Sequence, residues 1–205
     1  MFQKCRVVSV IMFILFFINA CSKNTVTPYI PTAEELCQKG WAAYENGSFT
    51  EAAESFHNAI QTDDTYCEGF IGLAVTRLRQ TNLTDAQLQF TIAKTKSPDE
   101  TQSIAISVGL SFIYVVNNNA DGIIAELSDK ITGTDTFDIG YGTNINAVDI
   151  HNLLCEAYIM INVYGTESGS SINDLDAWGQ LKKSMALDPN DTKAIDLQNY
   201  LRGTR

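Results

Sequence analysis

The chain has 205 residues, of which 45% are hydrophobic and 19% are charged, so it carries enough apolar side chains to form a packed core. With 14 basic and 24 acidic side chains its formal net charge is −10. That charge argues against binding to nucleic acid or to anionic lipid headgroups, because both require clustered positive charge. The two histidines, His57 and His151, leave little material for histidine-based metal sites or catalytic triads.

The first twenty residues have the organisation of a secretory signal. Lys4 and Arg6 precede a mostly apolar stretch, residues 7–20, which is too short to span a bilayer comfortably. Cys21 follows directly. Residues 21–32 contain two prolines and no helical pattern, so we expect them to form an extended tether.

The run Ile18-Asn19-Ala20-Cys21 resembles the lipobox of bacterial lipoprotein signals, although Asn19 departs from the usual residue at its position. The resemblance implies cleavage before Cys21, lipidation of Cys21 and a lipid-anchored protein of the bacterial cell envelope. In a Gram-negative host, Ser22 after the cysteine implies the outer membrane, facing the periplasm. Two alternatives stay open at this point: an ordinary signal peptide followed by an incidental cysteine, and a retained membrane helix.

A repeat of 34 residues follows the tether. Residues 33–66 align with residues 67–100 without a gap, and Phe56 then corresponds to Phe90. Small residues recur in the same register: Gly40 with Ala74, Ala52 with Ala86, and Ala59 with Ala93. Small residues where helices cross, beside large residues that fill the remaining space, are typical of stacked helical hairpins.

This pattern resembles the tetratricopeptide repeat (TPR), which implies an all-α fold of antiparallel helical hairpins in a right-handed superhelix. Residues 104–137 and 148–191 fit the pattern less well and predict two further hairpins, interrupted at residues 132–146 and near 165–174. Residues 192–201 predict a C-terminal capping helix. We therefore expect one TPR-like repeat domain over residues 33–205, with about four hairpins and a cap.

Four residue pairs have the spacing of a capping box and predict helix starts. They are Thr32 with Glu35, Ser48 with Glu51, Thr84 with Gln87, and Ser97 with Glu100. Pro98 would occupy the first helical position after Ser97, where its missing N–H costs nothing.

In the TPR family the first helix of each hairpin lines a concave groove, and this resemblance supplies the candidate binding residues. They are Trp41, Tyr44, Ile71, Val75, Leu78, Arg79, Phe112 and Val115. The fourth predicted hairpin, residues 148–191, adds Asn152, Glu156, Ile159 and Met160. The expected groove is apolar and aromatic, with Arg79 as its basic residue. It is either open to a ligand or closed by packing on its own cap and loops.

The sequence contains no recognisable catalytic motif, so we expect no enzyme activity, no cofactor and no metal. Asp135, Asp138 and Asn144 lie in one interruption but lack the spacing of a calcium-binding loop. Cys155 is expected to be a core thiol, while Cys37 and Cys67 are either bridged or free.

These observations favour a membrane-anchored, non-enzymatic adaptor or scaffold that holds a protein partner in the cell envelope. The alternative is a protein that binds an apolar small molecule or peptide in the groove and assists a transport system. A continuous groove would favour the first reading, and a closed pocket of a few hundred Å³ would favour the second.

Overall fold

The structure is a computed structural model that describes residues 29–130, 145–172 and 174–203. The predicted signal, Cys21, most of the predicted tether, and Asp135, Asp138 and Asn144 lie outside these residues. Within the described part of the chain the regular elements are nine α-helices. They are α1 (Ala33–Glu45), α2 (Phe49–Thr62), α3 (Cys67–Arg79), α4 (Leu83–Lys94), α5 (Glu100–Val116), α6 (Ala120–Leu127), α7 (Ala147–Met160), α8 (Ala177–Leu187) and α9 (Thr192–Gly203).

The helices pack as consecutive hairpins. Helix α1 packs on α2, α3 on α4, α5 on α6, and α7 on α8, while α9 packs on both α7 and α8. Each hairpin also contacts the next one through its second helix, so that α2 meets α3, α4 meets α5, and α6 meets α7. The chain therefore has the predicted all-α helical-hairpin repeat fold.

The first helices of the hairpins are not evenly spaced. Helix α1 contacts α3, α3 contacts α5, and α7 contacts α9, but α5 and α7 do not approach each other in this way along the described chain. Residues 63–66 connect α2 to α3, whereas the longer segment 128–146 connects α6 to α7. A longer connection relaxes the constraint on how the two hairpins pack. Ala105 and Val108 of α5 still share a buried core with Ile150 and Leu154 of α7, and a gap between the two helices lies beside that core.

Two phenylalanines on second helices hold successive hairpins together, and glycines on the first helices make room for them. Phe56 and Phe90 are fully buried. A Cβ atom added to Gly72 would lie 2.2 Å from the ring of Phe56, and one added to Gly109 would lie 2.2 Å from the ring of Phe90. The same contact therefore recurs at both junctions, although the phenylalanines are 34 residues apart and the glycines 37. Interiors this close-packed do not accept an added methyl group without a shift of neighbouring atoms.

The helix starts agree with the sequence in some places and differ in others. Thr32 forms the predicted capping box with Glu35, but Ser48 makes no side-chain cap. Helix α4 is capped by Asn82, which accepts a hydrogen bond from the backbone N–H of Asp85, and not by Thr84.

Helix α5 begins later than predicted. Asp99 forms its capping box with Gln102, while Ser97 has a positive φ of 53°. Pro98 consequently lies before the helix and not at its first position. The reason is that several side chains in each turn are able to cap, and the tertiary packing of the helix selects among them.

Candidate functional site

The predicted groove residues on α1 and α3 are largely used to hold the fold together. Ile71 is fully buried and Tyr44 is 6% exposed, so at these two residues the groove face is closed by packing within the fold. Val75 and Leu78 are half-buried and pack against the cores of the first two hairpins. Because α1 and α3 are in direct contact, their facing side chains cover one another.

Trp41 is half-buried and is held on two sides. Its ring lies edge-on to Phe56, with 4.8 Å between ring centroids, and its indole N–H donates a hydrogen bond to Oε1 of Glu68 at 2.7 Å. The other oxygen of Glu68 accepts a hydrogen bond from Nε2 of Gln102 at 3.3 Å. One carboxylate thus joins α1, α3 and α5, and Trp41 is a packing residue more than a free aromatic contact.

Arg79 is exposed and also bonded within the fold. Its Nε donates a hydrogen bond to the hydroxyl of Tyr44 at 2.8 Å, and its guanidinium carbon lies 5.9 Å from the centroid of the Tyr44 ring. This contact joins the C-terminal ends of α1 and α3. The basic residue that the sequence placed in the groove is therefore engaged with a residue of the first hairpin.

Phe112 and Val115, the predicted groove residues of the third hairpin, remain accessible. Phe112 is 42% exposed and Val115 is 41% exposed, although both lie on an apolar helix. They project into the gap between α5 and α7. Apolar side chains of this size that stay exposed beside a cavity are a common sign of a binding surface.

The gap contains two neighbouring cavities, which we call the α5–α9 cavity and the α5–α7 cavity. The α5–α9 cavity has a volume of about 330 Å³ and is lined by Val115, Asn118, Ile123, Leu153, Glu156, Ile159, Met160, Leu197 and Tyr200. The α5–α7 cavity has a volume of about 380 Å³ and is lined by Val108, Phe112, Ile145, Asp149, Ile150, Asn152, Leu153, Glu156 and Lys193. Leu153 and Glu156 line both cavities, so the turn of α7 that carries these two residues lies between the cavities.

The lining combines an apolar floor with a few charged groups. Glu156 pairs with Lys193 at 2.5 Å, and both side chains are partly exposed. Asp149 caps α7 by accepting a hydrogen bond from the backbone N–H of Asn146 at 3.0 Å. Asn152 is buried, donates to Oδ1 of Asp191 at 2.8 Å and accepts from the hydroxyl of Ser184 at 2.7 Å. The polar groups of the lining are therefore positioned by the start of α7, by α8 and by the start of α9.

The four candidate residues of the fourth predicted hairpin line the cavities. Glu156, Ile159 and Met160 line the α5–α9 cavity, and Asn152 and Glu156 line the α5–α7 cavity. Lys193, Leu197 and Tyr200 also line the cavities but are not among the predicted groove residues, because the sequence predicts α9 only as a cap. Lys193, Leu197 and Tyr200 follow the three- and four-residue spacing of one helix face, which was the available signal.

The three cysteines within the described residues, Cys37, Cys67 and Cys155, are free and buried. Burial raises the pKa of Cys37 and of Cys155 to about 12, with Glu68 and Glu156 respectively adding to the effect. Burial also raises the pKa of Cys67 to about 11, and its thiol donates to the carbonyl oxygen of Ala93. Such thiols stay protonated and are poor nucleophiles at neutral pH.

The histidines have different environments. His57 is exposed and lies 3.0 Å from the side-chain amide of Gln61, while His151 is fully buried with Nδ1 3.0 Å from Oε1 of Gln180. Among the described residues no cluster of three or more His, Cys, Asp or Glu side chains has an arrangement able to hold a metal ion. None of the helices in the described ranges is both long enough and apolar enough to cross a bilayer.

Comparison with known proteins supports the fold. No protein-family model matches the chain, and no curated protein matches it either. Among solved structures the chain is similar to one in the crystal structure of the APC/C hetero-tetramer Cut9–Hcn1, with a TM-score of 0.61 and 18% sequence identity over 84% of this chain. It spans 30% of that neighbour's length. Together with the recurring phenylalanine–glycine junction, this likeness defines an all-α, TPR-like hairpin repeat.

Proposed function

We propose that the protein is a non-enzymatic scaffold that binds a protein partner in the gap between α5, α7 and α9. The observation that carries the proposal is the exposure of Phe112 and Val115 beside two apolar cavities, when the equivalent face of α1 and α3 is covered by internal contacts. Aromatic residues, Phe among them, are enriched in protein interfaces, and the strongest contacts cluster in pockets.

The shape of the gap favours an extended partner over a compact ligand. Two cavities of a few hundred Å³ lie side by side and share the turn of α7 that carries Leu153 and Glu156. A peptide segment is able to place one apolar side chain in each cavity while its backbone crosses the shared turn. Recognition of this kind, with apolar anchors set in a groove between helices, recurs among helical proteins.

We further propose that the scaffold is lipid-anchored through Cys21 in a bacterial cell envelope. The support is the sequence alone: a basic start, a short apolar stretch and the run Ile18-Asn19-Ala20-Cys21. In a Gram-negative host, Ser22 after the cysteine favours the outer membrane, facing the periplasm. More than one acyl chain on the cysteine would make the attachment stable.

A second candidate function is binding of an apolar small molecule, as an accessory to transport. The observation in its favour is volume, because about 380 Å³ falls at the lower end of the range for pockets that hold small ligands. Such a ligand would fill the α5–α7 cavity against Phe112 and Ile150. The two candidates differ in the mass of the bound species.

Photo-cross-linking in the host tests the interaction. A benzophenone amino acid placed at Phe112 is expected to give a protein adduct, whereas the same group at Leu88, an exposed apolar residue of the second helix α4, is expected to give none. Native mass spectrometry of the purified protein tests the second candidate. A bound species with the mass of a small molecule, together with no protein adduct from position 112, would support small-molecule binding instead.

Replacement of Cys21 by serine tests the anchor. The wild-type protein is expected to partition with membranes and to carry the mass of acyl chains at its amino terminus. The Cys21→Ser variant is expected to lose both properties while keeping its helical content. An unchanged membrane fraction and an unchanged mature mass would contradict the lipid anchor and leave the interaction proposal intact.

A further inference from the structure

Resting on the proposed function, we infer that the partner segment is basic as well as apolar: it places two apolar side chains in the two cavities and a lysine or arginine beside Glu156. The geometry that leads to this inference is the position of Glu156. Its side chain lines both the α5–α9 cavity and the α5–α7 cavity, so any segment that fills both must pass this carboxylate.

The charge of the lining favours a cation at that point. The described lining of the two cavities contains two carboxylates, Asp149 and Glu156, against one ammonium group, Lys193. The Asp149 carboxylate also accepts a hydrogen bond at the start of α7, which fixes its position in the α5–α7 cavity. A bound carboxylate would meet two negative groups there, whereas a bound lysine or arginine would balance the lining.

The pair formed by Glu156 and Lys193 does not close the site to an incoming cation. The side chain of Glu156 is 38% exposed and that of Lys193 is 52% exposed. Ion pairs this accessible to water contribute little to stability, so the carboxylate is able to exchange or share its partner at low cost. Its two oxygens also permit Lys193 and a ligand cation to bind at the same time.

The net negative charge of the whole chain also favours a basic partner. The formal net charge is −10, and negative protein surfaces accelerate encounter with positive segments while repelling acidic ones. The inferred partner therefore differs from the acidic, carboxylate-bearing peptides that a groove rich in lysine and arginine would take.

Selection from a random peptide library displayed on phage, against the full-length protein in detergent, tests the inference. The probes for measurement are the enriched peptides, synthesised with a fluorescent label and titrated by anisotropy. We expect them to combine large apolar residues with at least one lysine or arginine. Replacing that residue by glutamine should weaken binding about threefold to fivefold, and replacing it by glutamate about tenfold or more.

Variants of the protein assign the effect to Glu156. Glu156→Gln is expected to weaken the basic peptides about threefold to fivefold and to flatten the dependence of affinity on salt. The matched control is Glu54→Gln, which removes an equal charge from an exposed position of the second helix α2 and should leave affinity unchanged. Because Glu156 is partly exposed, its variant is expected to keep the wild-type melting temperature.

The outcomes separate the inference from the function on which it rests. The inference is overturned if peptides bind only when Phe112 is present but their affinity depends neither on their own charge nor on Glu156. That result would leave the proposed peptide-binding function intact. The proposed peptide site itself is overturned if every enriched peptide still binds the Phe112→Ala variant, or if no peptide is enriched. The glutamine-substituted peptides test the inference on the unmodified protein, so the result does not depend on the folding of a variant.

Discussion

Phe56 lies so close to Gly72 that a Cβ atom on the glycine would be 2.2 Å from the phenyl ring. The ring also lies against Gly40, where an added Cβ would be 2.7 Å away. One side chain of α2 is thus held between the first helices of two successive hairpins. The contact therefore stabilises the interface between the first two repeats. Interfaces between neighbouring repeats are what make the stability of stacked repeats cooperative.

Gly72→Ala is expected to lower the free energy of unfolding by about 1–3 kcal/mol, because the added methyl group overpacks this junction. The measurement is chemical denaturation followed by circular dichroism. Gly203→Ala is the matched control, since nothing lies within 4 Å of the position of a Cβ at Gly203. Equal stability of the two variants would mean that Phe56 does not occupy the space between these helices.

Trp41→Ala is expected to cost about 2–4 kcal/mol of stability, because it removes the edge-on contact with Phe56 and the hydrogen bond to Glu68. Trp41→Phe keeps an aromatic ring and loses the N–H donor, so a smaller cost of about 1 kcal/mol is expected. Thermal melts of both variants provide the comparison. Loss of partner binding by Trp41→Ala at unchanged stability would show that the indole is a binding contact after all.

Phe112→Ala, unlike Trp41→Ala, is expected to weaken partner binding more than it lowers stability. The side chain is 42% exposed, so stability should fall by no more than about 1 kcal/mol, while binding of the partner should weaken by about 2 kcal/mol or more. Leu88→Ala, at a residue 55% exposed on α4, is the control and should change neither quantity much. Paired melting and binding measurements distinguish the two roles.

The buried thiols should resist modification in the folded protein. With pKa values raised to about 12 for Cys37 and Cys155 and about 11 for Cys67, the reactive thiolate is scarce at pH 8. We expect iodoacetamide to modify these residues at least about a hundredfold more slowly than in urea, as read for each cysteine by peptide mass mapping. A peptide linking Cys37 to Cys67 through a disulfide would contradict the free thiols of this structure.

The same shifts predict a loss of stability at high pH. In the unfolded chain the thiols ionise near their ordinary pKa of 9.0, whereas the folded protein keeps their protons up to about pH 11 or 12. The folded state therefore binds more protons above pH 9, and the free energy of unfolding falls as pH rises through this window. Each thiol contributes roughly 1 kcal/mol of this loss between pH 8 and pH 10. Urea midpoints at the two pH values measure the effect, and Cys155→Ala should reduce it.

The 34-residue register was readable from the sequence because it depends on local spacing. Phenylalanine and alanine at fixed positions of the second helices pack in the same way in the first two repeats, and Phe56, Phe90, Ala52 and Ala86 are all fully buried. Helix capping was less predictable, since Asn82 and Asp99 replaced Thr84 and Ser97 as the capping residues. Neighbouring side chains compete for the same backbone donors, and spacing alone does not choose between them.

The repeat, the helical fold and the apolar character of the first helices follow from periodicity and from the size of side chains, so the sequence alone predicts them. Which apolar side chains remain accessible depends instead on how the helices pack. Where α1 and α3 touch, Tyr44 and Ile71 are buried. Beside the core shared by α5 and α7, Phe112 lines a cavity and stays 42% exposed. The distance between first helices decides this, and it depends on how whole hairpins pack after a connection of variable length, which no local pattern encodes.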